Sequence, residues 1–249
     1  MKKLTFVIIG LLFFLTGCSI FVLEEDSEAY RLLSKQYTEF QLNDLADIKN
    51  FQAFINEVTL ESSVASVMVE VKIYSRLGAL IETRHGSGVI FHEDSQNYHV
   101  LTDARLVELS GGQSQVIEIS DYLGRTYRGY LQRTSDSGLA GIRFSKVTNR
   151  TLKVLSIADD NPMIGEPVLL IGYQRQIINA LTMGLVLEQQ ETMDQNYLKT
   201  SIISDNFGNG GVIMNTLHQI VGIQVQAEMD YMYAINIEDI RAFYDVYST

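Results

Sequence analysis

The sequence predicts an all-β protein built of antiparallel barrels or a sandwich, on three observations. Short apolar runs of strand length recur from about residue 66 to residue 235, turn residues separate them, and no long helical pattern is interleaved. With 249 residues, 46% hydrophobic and 20% charged, the chain can close one large core or two small ones. That excludes a disordered or collagen-like chain.

Lys2 and Lys3 open the chain and precede an uncharged run from Leu4 to Leu15. Its 12 residues fall short of the roughly 20 that a helix needs to span about 30 Å of hydrocarbon. The run reads as the core of a signal peptide covering residues 1–17. Leu15, Thr16, Gly17 and Cys18 resemble the bacterial lipobox, in which the cysteine is lipidated and becomes the first residue of the mature protein. An ordinary signal peptide with an incidental cysteine is the alternative. Cleavage before Cys18 removes two lysines and no acid, taking the net charge from −11 to −13. Such a surface repels anionic lipid, so attachment rests on acyl chains, at about 0.8 kcal/mol per buried methylene. The expected protein faces the extracytoplasmic side of a bacterial envelope, anchored to a membrane and not crossing it.

Residues 18–60 form an acidic spacer. From Leu23 to about Thr59, Leu32, Leu33, Tyr37, Phe40, Leu45, Ile48, Phe51 and Ile55 fall mostly three or four apart, a helical period. Glu24, Glu25 and Asp26 suit the positive end of a helix dipole. After Val58 the period changes to two: Val67, Val69, Val71 and Ile73 alternate with Met68, Glu70 and Lys72. Strand-like runs follow at Gly88–His92, Tyr98–Thr102, Gln115–Ile119, Thr126–Leu131, Leu139–Phe144, Pro167–Ile171, Leu181–Leu187, Leu198–Ile203, Ile220–Gln226 and Tyr231–Ile235. Ser110 to Gly112 and Asp121 to Gly124 supply turn chemistry between them. Asn236 to Tyr247 reads as a closing helix.

Nineteen basic residues stand against thirty acidic ones with no long basic cluster, so nucleic acid is not an expected partner. A single cysteine cannot form an internal disulfide or a zinc cluster, and no metal or other cofactor is expected. His92 and His99, seven apart across the turn from Glu93 to Asn97, read as exposed side chains.

Four segments, in order, resemble trypsin-like serine proteases of the HtrA/DegP type. Gly86, Ser87, Gly88, Val89, Ile90 and then Leu101, Thr102, Asp103, Ala104, Arg105, Leu106, Val107 are similar to the family's Gly-Ser-Gly-x-x-Ile and Leu-Thr-Asn-Ala-His-Val-Val. Gly124 and Arg125, followed by Leu139, Ala140, Gly141 and Ile142, resemble its Gly-Arg and Asp-Leu-Ala-Val-Leu strands. The third segment runs from Ile164 through Gly172 to Val186. The fourth, Thr200 to Gly211, lies without gaps on Thr-Asp-Ala-x-Ile-x-x-Gly-Asn-Ser-Gly-Gly, and Val221, Gly222, Ile223 with Tyr233, Ala234, Ile235 complete the pattern. The resemblance covers about residues 62–247. It implies two antiparallel six-stranded barrels, with a domain over 61–249 whose halves meet near residue 150.

The resemblance also places the catalytic histidine on Arg105, the aspartate on Gly138 and the nucleophilic serine on Asn209, with an oxyanion-hole remnant at Phe207, Gly208 and Asn209. A triad needs a hydroxyl, an imidazole and a carboxylate. Asn209 has no ionisable proton, Arg105 is a permanent cation, and Gly138 has no side chain. Phe207 stands where the family has a glycine. Asp136 lies two residues from Gly138, Ser87, Ser201 and Ser204 lie in or near the motifs, and His85, His92, His99 and His218 are the only imidazoles. The expected function is therefore a lipid-anchored, proteolytically inactive homologue whose cleft binds polypeptide or a partner protein. An active endopeptidase with relocated catalytic groups and a structural envelope lipoprotein are the alternatives. The family's usual PDZ domain is not expected, because the chain stops at Thr249.

Overall fold

In a computed structural model the described residues are 53–148, 150–174, 177–191, 196–204 and 209–247. The signal segment, Cys18 and most of the acidic spacer lie outside them, as do Phe207 and Gly208. The strands belong to one compact unit, Glu57–Thr249.

A helix over residues 53–63 (α1) leads into β1 (Ser66–Tyr74), β2 (Leu80–Glu93), β3 (Asn97–Asp103), β4 (Ser114–Ser120), β5 (Thr126–Thr134) and β6 (Leu139–Ser145). These close into a barrel in the order β1-β2-β3-β6-β5-β4. β7 (Pro167–Gln174), β8 (Ile177–Glu191), β9 (Asn196–Thr200), β10 (Val212–Met214), β11 (Ile220–Ala227) and β12 (Met232–Asn236) close a second, ordered β10-β11-β12-β9-β8-β7. Every strand pair is antiparallel. The helix α2 (Ile237–Tyr247) follows β12. Two six-stranded antiparallel barrels between a short N-terminal helix and a C-terminal helix are the fold the sequence implied.

Alternation explains the interiors. Val67, Val69, Val71 and Ile73 of β1 point inward onto Ile90, Val100, Ile117, Ile142 and Phe144. Val168, Leu170, Val186, Leu198, Ile213 and Val221 fill the second barrel. Each such side chain contributes about 1.5–3 kcal/mol by leaving water. Closure needs coiled strands, and register shifts at Ile90/His92, Leu131/Arg133 and Val186/Glu188 supply the local bends.

Three details depart from the sequence reading. β2 begins at Leu80 through pairing with β1, a start hidden from the sequence because its first six residues are exposed but for the half-buried Arg84 and show no period of two. β10 was not read at all, being only three residues long. Ser201 to Ile203 leave the sheet: the Ser201 N–H donates to the Leu185 carbonyl while its hydroxyl accepts the Leu185 N–H at 2.9 Å, a side-chain bond that replaces a ladder bond.

The barrels are joined along a polar seam. Ser87 on β2 is fully buried; its hydroxyl accepts the Tyr173 N–H at 2.6 Å, and its carbonyl accepts the Thr102 hydroxyl at 2.5 Å.

Candidate functional site

At the end of β3 the chain enters a 3-10 turn, Ala104–Leu106, capped by Asp103, whose carboxylate accepts the Arg105 N–H at 2.9 Å. The same carboxylate takes the Arg105 guanidinium, with Nε 3.1 Å from Oδ1 and 3.0 Å from Oδ2, and Nη2 on Oδ2. Asp103 is wholly buried, whereas the Arg105 side chain is 49% exposed. The hydrogen-bonded Asp103 carboxylate raises the guanidinium pKa above its already high value, against the opposing effect of burial. Arg105 is thus a fixed cation, engaged with the acid two residues before it.

Beside this turn lies a second one. Ser135 accepts the Gly138 N–H at 3.1 Å, and the Gly138 carbonyl accepts the Ala104 N–H at 2.8 Å, which draws Arg105 and Gly138 together. Gly138 has φ 84°, in the left-handed region that glycine adopts without strain. Asp136, in the same turn, lines the cavity that Arg105 and Gly138 share. That cavity measures about 630 Å³ and opens between the barrels, with Tyr197, Val225, Tyr233 and Ile235 on the second-barrel side. Burial raises the Tyr197 hydroxyl pKa against the pull of Arg105.

Asn209 is held by its backbone. Its carbonyl accepts the Ser87 N–H at 2.8 Å, and Gly86 is wedged between that carbonyl and Leu106, the residue after Arg105. The next residue, Gly210, has φ 84°, and a Cβ there would stand 2.2 Å from the Ser87 carbonyl oxygen and from the Thr102 hydroxyl. The turns of Arg105 and Gly138 are thus bonded to each other, and Asn209 is bonded to Ser87 at the seam between the barrels. Arg105 and Gly138 line the cavity, and Asn209 is not among its lining residues.

Ser87, Ser201, Ser204, His85 and His99 have partners of their own. Ser87 and Ser201 accept backbone N–H groups, as described, and Ser204 accepts from the Gln224 side chain at 3.1 Å. His85 stands 3.5 Å from Glu70, and His99 bonds Asp94 and Tyr247. His99 is only 8% exposed, which corrects the expectation of exposure: the end of α2 covers it. Among the described residues no group of three or more His, Cys, Asp or Glu side chains is placed to hold a metal ion. No described helix is long and apolar enough to cross a membrane.

Asp103, Tyr197 and Tyr233 were not singled out in the sequence. For Asp103 a signal existed, a carboxylate two residues before an arginine at a strand end. The two tyrosines arrive from β9 and β12, far along the chain; Tyr233 stood in the last family-like strand, and neither carried a signal of a place at the cavity.

Residues 86–223, more than half of the chain, match the family model described as Trypsin-like peptidase domain. No curated protein matches the chain.

Proposed function

Because the chain belongs to the trypsin-like peptidase domain family, we propose that it is a proteolytically inactive homologue of the HtrA/DegP type, held at a bacterial envelope membrane through lipidated Cys18, whose inter-barrel cleft binds polypeptide or a protein partner. The observation that carries the inactivity is the Asp103–Arg105 pair. The residue aligned with the family's general base is a guanidinium, which cannot accept a proton near neutral pH. It is also already paired with a buried acid.

The other two aligned positions support the same reading. Asn209 carries an amide in place of a nucleophile. Gly138 sits in a turn whose positive φ suits glycine. Asp136 brings a carboxylate into the cavity, but with no imidazole among the lining residues it has no tautomer to fix. Loss of such a triad lowers turnover by about 10⁶. Relocated chemistry at Ser87 or Ser201 is disfavoured, since both hydroxyls already accept backbone N–H groups.

Binding needs none of these groups. A cavity of about 630 Å³ with tyrosine rings on one side and carboxylates on the other is within the size range of ligand sites, about 300–1,000 Å³. A peptide held there through backbone hydrogen bonds uses the β-pairing mode. The test uses the purified full chain in mild detergent. A fluorophosphonate probe should leave it unlabelled while a labelled, permanently unfolded polypeptide binds saturably. Heat-sensitive probe labelling would sink the inactivity, and failure to bind any unfolded polypeptide would sink the cleft's assigned role.

A further inference from the structure

Although α2 follows directly on β12 of the second barrel, its last turn packs on the first. Phe243 and Tyr247 bring their ring centroids within 6.3 and 5.3 Å of the Phe91 ring. Tyr247 lies over Gly141 of β6, where a Cβ would come within 2.4 Å of the tyrosine ring, so only glycine admits this approach. Beneath it, His99 bonds the Tyr247 hydroxyl through Nδ1 at 2.8 Å and the Asp94 carboxylate through Nε2 at 2.9 Å.

We propose that His99 and Tyr247 form a proton-sensitive latch that holds the end of α2, an element of the second barrel, on the first barrel. The hydrogen-bond chain sets the tautomer. Asp94 also accepts the backbone N–H groups of Gln96 and Asn97, at 2.6 and 2.8 Å. The Gln96 bond, with those from His99 and Asn97, outweighs partial desolvation and holds the carboxyl well below the usual carboxylate range. An ionised Asp94 accepts a proton bond from Nε2–H, which leaves the Nδ1 lone pair to receive the Tyr247 O–H. Burial pushes the Tyr247 hydroxyl up to about 12, so it remains a donor throughout the physiological range.

Adding a proton to His99 fills Nδ1 and ends its role as acceptor. Tyr247 must then receive a hydrogen bond where it gave one, and its own O–H loses its partner. The surroundings also weigh against the cation. On β2 the His92 ring lies 5.2 Å from the His99 ring, and on β6 Arg143, opposite His99, sits over the Tyr130 ring. Of the other charged groups nearby, Glu93 is paired with Lys146, and Arg133 lies over Phe243. Tyr244 of α2 packs edge-on against His92. Asp94 alone favours the charged ring. Burial dominates and lowers the His99 pKa from its ordinary 6.5, despite Asp94.

The sign follows from linkage. A histidine kept neutral in the folded latch, but free to charge when the latch opens, contributes fully above about pH 6.5. That contribution is lost as the pH falls below 6.5 toward the folded value. The loss is roughly tenfold in the open population for each unit separating the two pKa values. A histidine with only a packing role would hold α2 equally at both pH values.

Hydrogen exchange of the full chain in mild detergent, read by mass spectrometry at pH 7.5 and 5.0 and corrected for intrinsic rates, tests this. Peptides covering Ile240 to Tyr247 should lose protection at pH 5.0 by several-fold or more, while those of β3 and β6 keep theirs. His99→Gln should abolish the pH dependence. Tyr247→Phe keeps the ring over Gly141 and serves should the first variant not fold; its helix should exchange faster at pH 7.5 and change little at 5.0. Equal protection of wild type at both pH values overturns the latch, as does a full pH response in folded His99→Gln or a Tyr247→Phe helix that exchanges no faster than wild type at pH 7.5.

Discussion

Replacing Arg105 by methionine keeps the backbone N–H and most of the aliphatic stem but removes the guanidinium. Of the four hydrogen bonds that Asp103 receives from Arg105, only the backbone one at 2.9 Å survives. Breaking a fully buried ion pair costs about 3–5 kcal/mol. Here half of the arginine already faces solvent, so water can enter beside the carboxylate once the guanidinium is gone, and a cost of about 2 kcal/mol is expected. For a unit of this size that corresponds to a fall in Tm of about 4–8 °C. Urea unfolding of the full chain at pH 7 measures it, with an unchanged slope as the check that only stability moved. The cycle is completed with Asp103→Asn, which keeps a cap for the 3-10 turn and leaves no buried charge. Asp103→Asn with Arg105→Met should lie within about 0.5 kcal/mol of Asp103→Asn alone. If Arg105→Met in the Asp103 background also costs less than about 0.5 kcal/mol, the guanidinium is not committed to Asp103. The reading of Arg105 as a silenced cation in the cleft then fails.

Gly210→Ala should destabilise the chain by on the order of 3 kcal/mol, because a positive φ and contact with the Ser87 carbonyl act together; a change in Tm of less than about 2 °C would mean that the seam yields easily. In a bacterial host, Cys18→Ser should abolish acyl labelling and move the protein out of the membrane fraction, since the acidic sequence has no long basic cluster to hold it there. Retention of a labelled Cys18→Ser protein in membranes would refute the anchor.

What the sequence made legible was set by where a residue's neighbours come from. The alternation of Val67 to Ile73 is a local pattern, and β1 formed where it was read. Val212 to Met214 show no period of two, and pairing with β7 and β11 makes them a strand. Ile202 and Ile203 have strand-like side chains, yet the hydroxyl of Ser201 takes over the next ladder bond. At the site, the identity of Arg105 excluded a base directly. That Asp103 captures it depends on the 3-10 turn that begins at Ala104 and carries Arg105 back over its own cap, and on the burial of β3. Gly138 was read as a missing side chain, and the turn adds that its backbone favours glycine. The histidine at 99 was misread because its cover, Tyr247, lies 148 positions away.

That distance along the chain bears on the order in which the protein can be made. All six strands of the first barrel have emerged by Ser145, whereas the rings that cap Phe91 and His99 arrive only with Phe243 and Tyr247. A chain delivered N-terminus first therefore carries its first barrel with an uncovered aromatic patch until the final helix follows. This interval is the window in which the half-finished barrel is open to aggregation or to a holding factor. The last turn of α2 closes that window.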